Sequence, residues 1–130
     1  MYIFKELNVS EQSKIMRFFL RKQRFYRGLL EAEKDRRNIK DIEQQRIISN
    51  LQTHIDIITL AMQDLELIER YVIEQSYYDG MKHKSISEKL NMNISDIGKI
   101  SSKALKKIRL NLCSQAIYIS DKDKIKKGMF

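Results

Sequence analysis

Residues 84–109 read KSISEKL, then NMN, then ISDIGKISSKALKKIR. The first and third segments have the apolar spacing of amphipathic helices, and the asparagine-rich break between them favours a turn and a helix cap. Two helices joined by so short a turn, the second with a basic exposed face, are typical of a helix-turn-helix that binds DNA. The sequence therefore predicts a helix-turn-helix in this stretch.

The positive charge of the chain is confined to its C-terminal part. The 130 residues carry a formal net charge of +8. Residues 1–81 hold 13 basic and 13 acidic residues, whereas residues 82–130 hold 12 basic and 4 acidic residues. A basic block attracts polyanions, because each neutralised phosphate releases condensed counterions. Double-stranded DNA is the expected partner, and a merely solubilising surface is the alternative.

The last predicted helix has one apolar and one basic face. The apolar face consists of Ile94, Ile97, Ile100, Ala104, Leu105, Ile108 and Leu112, with Arg109 at the edge of the basic face. In a helix-turn-helix the N-terminal turns of the second helix approach base edges, so the polar residues from Ser95 to Lys103 are the predicted base readers. The predicted DNA-binding set is Ser85, Asn93, Ser95, Asp96, Lys99, Ser102, Lys103, Lys106 and Lys107.

Local signals delimit the helices of this module. The helix before it is predicted to open near Asp64 and to end at Asp79–Gly80, where glycine takes the left-handed conformation of a C-terminal cap. Ser85 and Glu88 match a capping box for the next helix. Asn93 is expected to cap the last helix.

The remainder of the chain also predicts helices, since it has no proline and is rich in helix-forming residues. Apolar residues recur at steps of three and four through 48–65, which indicates a helix seam. The seam packs either against the first helix of the same chain, as a helical hairpin, or against a second chain, as a dimerising coiled coil. The predicted oligomerisation residues are Ile48, Leu51, Ile55, Ile58 and Met62.

The first long helix, with Ser10 as its expected N-cap, is predicted over the region from Lys14 to Leu30. It combines basic and aromatic residues: Lys14, Arg17, Arg21, Lys22, Arg24 and Arg27 with Phe18, Phe19, Phe25 and Tyr26. This combination suits a second nucleic-acid contact. The favoured alternative is a buried face containing Ile15, Phe18, Phe19 and Leu29, with solvated arginines opposite. The turn to the second helix is expected between Glu31 and Arg46.

Four short motifs carry a resemblance to a known family. They are ERYVI at 69–73, YYDGM at 77–81, ISEKL at 86–90 and ALKKIR at 104–109. In this order they resemble the fourth region of bacterial sigma factors. The resemblance covers residues 65–110 and implies a four-helix DNA-binding module that, in the family, reads the upstream promoter element and can touch RNA polymerase.

In size and arrangement the chain is similar to small phage-encoded transcription activators of Gram-positive bacteria. It departs from sigma factors at the start of the last helix, where Ile94, Ser95, Asp96 and Gly98 replace the usual arginine and glutamate. Asp96 is better explained as a first-turn charge that complements the helix dipole than as a base contact. The expected organisation is all-α, with a helical or oligomerisation region at 1–63, the DNA-binding domain at 64–112 and a basic tail at 113–130.

Catalytic and metal-binding motifs do not appear in the sequence. His54 and His83 are far apart, and Cys113 has no cysteine or histidine at metal-ligand spacing. We expect no enzyme activity, no cofactor and no metal. The chain also lacks a signal-like or membrane-spanning apolar run, which predicts a cytoplasmic protein associated with the nucleoid of a bacterial host.

The leading hypothesis is a sequence-specific transcription regulator, an activator of the phage type, acting as a homodimer on double-stranded DNA. Contact with RNA polymerase is left open. One alternative is a DNA-packaging component such as a small terminase-like subunit, which would form a large ring. The other is an adaptor that binds RNA polymerase without reading bases. For the segment Ile117–Ile119 the sequence leaves two alternatives, which are docking on the core and contact with a partner.

Overall fold

A computed structural model describes residues 2–35 and 42–119 of the chain. Over these residues the α-helices are α1 (Val9–Lys34), α2 (Ile42–Ala61), α3 (Leu67–Ile73), α4 (His83–Leu90) and α5 (Ile94–Cys113). A 3₁₀ turn covers Phe4–Glu6, a π-helical turn covers Glu74–Tyr78, and two short strands, β1 (Tyr2–Ile3) and β2 (Tyr118–Ile119), pair with each other. The prediction of an all-α protein with a C-terminal helix-turn-helix is confirmed.

Helix α1 is longer than the sequence predicted. Its N-cap is Asn8, whose side chain accepts a hydrogen bond from the backbone N–H of Glu11 at 2.8 Å. The prediction of Ser10 as the cap was wrong, because Ser10 already lies inside the helix. The connection to α2 falls between Asp35 and Ile42, within the range expected for it, and residues 36–41 are outside the described part of the chain.

The apolar seam of α2 packs within the chain. Leu51 and Ile55 form a buried cluster with Leu30 of α1, flanked by Tyr26 and Ile48. Ile58 and Met62 continue the seam into the main core. Of the two alternatives left open by the sequence, the structure has the helical hairpin. A dimer through the same residues stays a prediction, and it would require α1 to be displaced or exchanged.

The main core joins the two regions that the sequence analysis treated as separate domains. It combines Phe4 and Leu20 from the N-terminal part, Ile58 from α2, Ile73 from α3 and Ile108 from α5, all of them fully buried. Burial of an aliphatic side chain of this size stabilises the fold by roughly 1.5–3 kcal/mol. The hairpin and the helix-turn-helix are therefore held together by shared apolar contacts.

The chain ends of the described region close over this core. Tyr2 pairs with Ile119 and Ile3 with Tyr118, antiparallel, and the backbone N–H of Phe4 donates to the carbonyl of Ile117 at 2.9 Å. Ile117 and Ile119 are buried. The segment left open by the sequence thus docks on the core, and the part of the predicted tail from 113 to 119 belongs to the folded unit. The rest of that tail, 120–130, lies outside the described residues.

The segment before the helix-turn-helix begins later than predicted. Helix α3 starts at Leu67, three residues after Asp64, and the Glu69 carboxylate accepts a hydrogen bond from the backbone N–H of Glu66 at 2.9 Å. Helical structure then widens into the π-helical turn and ends before Gly80, which has a φ of 66°. The prediction of a left-handed glycine is confirmed by this φ. A side chain at the same position would strain the backbone.

Candidate nucleic-acid interface

Helices α4 and α5 are joined by the predicted three-residue turn. Asn91 adopts the left-handed conformation, with a φ of 53°, which asparagine tolerates better than most residues. The backbone N–H of Met92 donates to the carbonyl of Ser87 at 2.9 Å and closes the end of α4. Asn93 is the N-cap residue of α5, as predicted, although its side chain makes no capping hydrogen bond. The turn therefore fixes where α5 begins.

The start of α4 differs from the prediction. The helix begins at His83 after the N-cap residue Lys82, so Ser85 lies in its first turn and does not form the expected capping box with Glu88. Ser87 instead donates from its hydroxyl to the carbonyl of Lys84 at 2.6 Å. Ser85 remains exposed on the surface of α4.

A separate apolar cluster fixes the position of α5 against α3 and α4. Val72, Ile86 and Ile97, one from each helix, are fully buried against each other. Leu90 and Met92 cover the cluster on the side of the turn. Because each helix contributes a branched side chain to the same contact, the orientation of α5 is determined by packing and does not depend on the turn alone.

The basic face of α5 is exposed, as predicted. Its buried stripe consists of Ile97, Ser101, Ala104, Ile108 and Leu112. Its exposed stripe consists of Ser95, Lys99, Ser102, Lys103 and Lys106. Asn93 is also exposed, and Asp96 is half-buried in the first turn. The buried stripe follows steps of three and four residues, and the exposed polar groups lie on the opposite side of the helix.

Ile94 departs from the predicted apolar face. It is 51 % exposed at the first turn of α5, whereas Ile100 and Leu105 are partly buried. A first-turn position immediately after the cap lies ahead of the core contact, which begins with Ile97. Ile94 is thus an apolar group at the end of the helix that would face base edges, and the sequence analysis did not include it among the functional residues.

Lys107 differs from the other lysines of α5, because it has a carboxylate partner. Its Nζ lies 2.8 Å from Oε1 of Glu69, whose side chain is only 3 % exposed. Burial raises the pKa of Glu69, but the hydrogen bond from Lys107, the backbone N–H of Glu66 and the nearby lysine charges outweigh it and hold that pKa below its ordinary value. The hydrogen bond to Glu69 raises the pKa of Lys107. Lys107 therefore ties α5 to α3, and its contact with DNA stays a prediction.

Most basic residues of α1 that the structure places near the module have partners within the chain. The guanidinium of Arg24 lies 2.7 Å from a carboxylate oxygen of Asp79. Arg21 lies over the ring of Tyr77, with 5.7 Å from its guanidinium carbon to the ring centre, and Lys22 lies over the ring of Phe18. These contacts favour a structural role for Arg21, Lys22 and Arg24 over a contact with nucleic acid.

The core face of α1 is close to the one predicted. Ile15 and Phe19 are buried and Phe18 is partly buried, whereas Leu29 is exposed and Leu30 is buried in its place. The error of one residue arises because the hairpin packs α1 against α2 at this end. That contact is not visible in the sequence of α1.

His54 and Cys113 have packing positions. The ring of His54 stacks on Tyr26, with centres 5.3 Å apart, and lies 5.7 Å from Phe19. Cys113 is partly buried against the main core. Within residues 2–35 and 42–119, no group of three His, Cys, Asp or Glu side chains could hold a metal ion. None of the helices described is both long and apolar enough to cross a membrane.

With this geometry established, a comparison with family models identifies the module. Residues 61–110 match the family described as Sigma-70, region 4. This segment is a sigma region 4-like helix-turn-helix. The match runs from the last residue of α2 through α3 and α4 into α5, and leaves the hairpin outside it. No curated protein and no solved structure gives a significant match to the chain.

The family match has two consequences that agree with the geometry. Sigma region 4 is a DNA-binding, non-enzymatic module, and it supports a role in transcription regulation. It also fits the packing around α5, because the turn, the small apolar cluster and the exposed basic stripe all lie inside the matched range.

Proposed function

We propose that the protein is a sequence-specific DNA-binding transcription regulator that uses α5 as its recognition helix. The observation that carries this proposal is the exposed stripe of α5, where Lys99, Lys103 and Lys106 have no ion-pair partner among the described residues. Charges of one sign on a fixed helix face create a field that attracts phosphates. The neighbouring Lys107 differs, because it pairs with the carboxylate of Glu69 and so has a structural role.

The direction of α5 assigns different tasks to its two halves. Its 20 residues extend about 30 Å, whereas the major groove of B-DNA is about 12 Å wide. Only the first turns would therefore lie among the bases. Ile94, Ser95 and Lys99 are the proposed base contacts, with Ile94 suited to the methyl group of thymine. Ser102, Lys103 and Lys106 would contact phosphates as the helix leaves the groove, and Ser85 and Asn93 would approach the backbone from the turn side.

Asp96 is proposed to act on the helix rather than on a base. It is half-buried in the first turn of α5, where a carboxylate complements the positive end of the helix dipole. Near DNA the same charge would repel phosphates, so it would also restrict which backbone position α5 can approach.

In the cell we propose an activator of the phage type that acts in the bacterial cytoplasm, at the nucleoid. The sigma-like module supports contact with RNA polymerase, since region 4 has this role in the family, and the hairpin outside the match would distinguish the chain from a sigma factor. A homodimer would read two half-sites about one helical turn apart. Because the α2 seam is buried within the chain, such a dimer needs another surface or an exchange of α1.

Selection of bound duplexes from a random pool, at two salt concentrations, tests sequence-specific binding. We expect an enriched motif, with two half-sites about one helical turn apart if the protein is a dimer. Recovery of duplexes without enrichment would contradict sequence specificity. Absence of binding at low salt would contradict a DNA-binding function altogether.

Substitution of the exposed lysines tests the assignment of α5. Lys99→Ala together with Lys103→Ala should weaken duplex binding about a hundredfold and lower the slope of log affinity against log salt by about 0.9, because Lys103 is the proposed phosphate contact of the two. Lys22→Ala, at a lysine of α1 that lies over the ring of Phe18, removes one charge outside α5 and is the control. An unchanged salt slope in the double variant would remove α5 from the interface.

A polymerase contact is tested separately from DNA binding. In nuclease-treated bacterial lysate, the tagged protein should retain RNA polymerase, and the Lys99 and Lys103 variant should retain it equally well. Loss of the enzyme after nuclease treatment would show that DNA bridges the two, and would contradict direct contact.

A further inference from the structure

A cleft open to solvent lies between α1 and α5, away from Ile94, Ser95 and Lys99, which are the proposed base contacts. It has a volume of about 190 Å³, where about 15 Å³ suffices for one water molecule. Its lining combines two hydroxyl groups, three basic side chains and two apolar side chains: Ser13, Ser102, Arg17, Lys106, Arg109, Met16 and Leu105. None of the described residues that line it is acidic.

The charges in the cleft are mutually repulsive without an anion. Arg17 comes from α1, and Lys106 and Arg109 come from α5, so the three cations are brought together by tertiary packing. Arg17 and Lys106 have no ion-pair partner among the described residues. Like charges held close together at a partly enclosed surface disfavour the folded state unless a counter-charge occupies the site. Hydroxyl and guanidinium donors together suit a tetrahedral oxyanion.

One of the three cations is held in place by the buried structure. The guanidinium of Arg109 donates to the side-chain oxygen of Gln12 at 3.1 Å. Gln12 is itself buried, and its amide nitrogen donates to the carbonyls of Phe4 and Leu7 at 3.0 and 2.9 Å. The orientation of Arg109 is thus fixed by a neutral network, which leaves its charge available to a ligand.

The cleft adjoins the exposed stripe of α5. Ser102 and Lys106 belong both to the cleft and to the exposed stripe of α5. Arg109 lies about 15 Å along the helix from Lys99, a distance greater than the width of about 12 Å of the major groove. If Lys99 lies among the bases and α5 crosses the groove, the cleft would therefore lie near the sugar-phosphate backbone.

We propose that the cleft between α1 and α5 binds a phosphate of the DNA backbone, so that the hairpin outside the sigma-like module contributes to the duplex interface. The inference rests on the proposed function. It assigns to Arg17, a residue of α1, a direct phosphate contact that the module alone cannot supply. Ser13 donates a hydrogen bond to the same phosphate, and Arg109 contacts it from the side of α5.

The test measures duplex binding by the full chain as a function of salt. Arg17→Gln should weaken binding about tenfold on specific and scrambled duplexes alike, and should lower the salt slope by about 0.9. Ser13→Glu, which adds a negative charge to the cleft, should weaken binding at least as much. Arg17→Lys should restore the salt slope. Thermal melting of each variant verifies that it folds.

Arg46→Gln is the matched control. Arg46 lies on α2, has a side chain that is 65 % exposed, and pairs with Glu43 at 3.3 Å in a surface contact of the kind that contributes little to stability. Arg46→Gln makes the same change of side chain and charge as Arg17→Gln, at a site outside the cleft. A phosphate contact predicts a clear difference between these two variants.

The outcomes separate this inference from the proposed function. If the wild type does not bind duplex at low salt, both are overturned. If binding depends on Lys99 and Lys103, but Arg17→Gln behaves like Arg46→Gln, the function stands and the phosphate cleft is overturned. A rise in melting temperature with inorganic phosphate that Arg17→Gln abolishes, with DNA binding unchanged, would make the cleft a site for free anions and would also overturn the backbone contact.

Discussion

The hairpin and the sigma-like module handle their charges in different ways. On α1, Arg24 pairs with Asp79 and Arg21 lies over Tyr77, so basic groups serve to hold the hairpin against the module. On α5, Lys99, Lys103 and Lys106 are exposed and have no ion-pair partner among the described residues. Basic composition alone therefore does not identify a nucleic-acid surface. What identifies it is a set of like charges that the fold leaves without partners.

The largest expected effect tests whether the two regions are one cooperative unit. Ile108 of α5 is fully buried in the core shared with the hairpin, so Ile108→Ala should destabilise the protein by about 2–5 kcal/mol. Circular dichroism and the fluorescence of tyrosines in both regions should show one coincident unfolding transition. Separate transitions would show that the hairpin and the module are two independent domains.

A matched substitution in the hairpin tests whether the hairpin unfolds together with the module. Ile55→Ala removes an equal side chain from the smaller cluster between α1 and α2. If the shared core couples the regions, this variant also unfolds in a single transition. Local loss of the hairpin with an intact module would instead show that the hairpin unfolds independently of the module.

Alkaline pH should weaken the contact between the regions. Burial raises the pKa of Tyr78 to about 12, and its hydroxyl lies 3.2 Å from the sulfur of Met62. The folded state therefore retains a proton that the unfolded chain loses near pH 10, so stability should fall between about pH 10 and 12, by at most about 3 kcal/mol. Denaturation of wild type and Tyr78→Phe at several pH values measures the difference. An equal decline in both would contradict this role of Tyr78.

The Glu69–Lys107 pair provides a prediction at the acidic end. The pKa of Glu69 is lowered from its ordinary value of 4.5, so the stabilisation is present above that value and is lost as pH falls through the folded pKa. Wild type should therefore lose more stability on acidification than Glu69→Gln. Urea denaturation from pH 6 downward, on both proteins, measures this loss.

The same pair distinguishes the two kinds of lysine on α5. Lys107→Gln should lower stability and leave the salt slope of DNA binding unchanged, whereas Lys103→Gln should lower that slope by about 0.9 with little change in stability. A reversal of these two results would return Lys107 to the DNA-contacting set.

The smallest expected effect concerns the start of the hairpin. Asn8→Ala removes the side-chain acceptor at the N-terminus of α1 and should cost about 1 kcal/mol. Ser10→Ala is the control, because Ser10 lies inside the helix, and it should change stability by much less. Equal effects in denaturant unfolding would contradict the observed position of the cap.

The reading of the sequence was most accurate where a feature depends on residues close together in the chain. The turn at Asn91, the left-handed Gly80 and the exposed stripe of α5 follow from local backbone preference and helix periodicity, and the structure has them. Errors of two or three residues occurred at Ser10, Asp64 and Ser85, where several polar residues compete for the position of the cap.

Contacts between distant residues could not be read in this way. The partner of Lys107 is 38 residues away, and that of Arg109 is 97 residues away. A lysine with a buried carboxylate partner and one facing solvent have the same local sequence pattern. For this reason the sequence could neither distinguish Lys107 from the exposed lysines of α5 nor place Arg17 in the cleft, because that position depends on how α1 packs against α5.

The sequence by itself determined the all-α class, the helix-turn-helix and the polar face of α5, because apolar periodicity and turn residues act over a few neighbouring positions. Only the tertiary structure decided that the α2 seam packs within the chain, that Ile117 and Ile119 close the core, and that α1 and α5 form a basic cleft. The physical reason is that an apolar stripe or a charged side chain specifies the chemistry of its partner, whereas the fold of the whole chain specifies which partner is within reach.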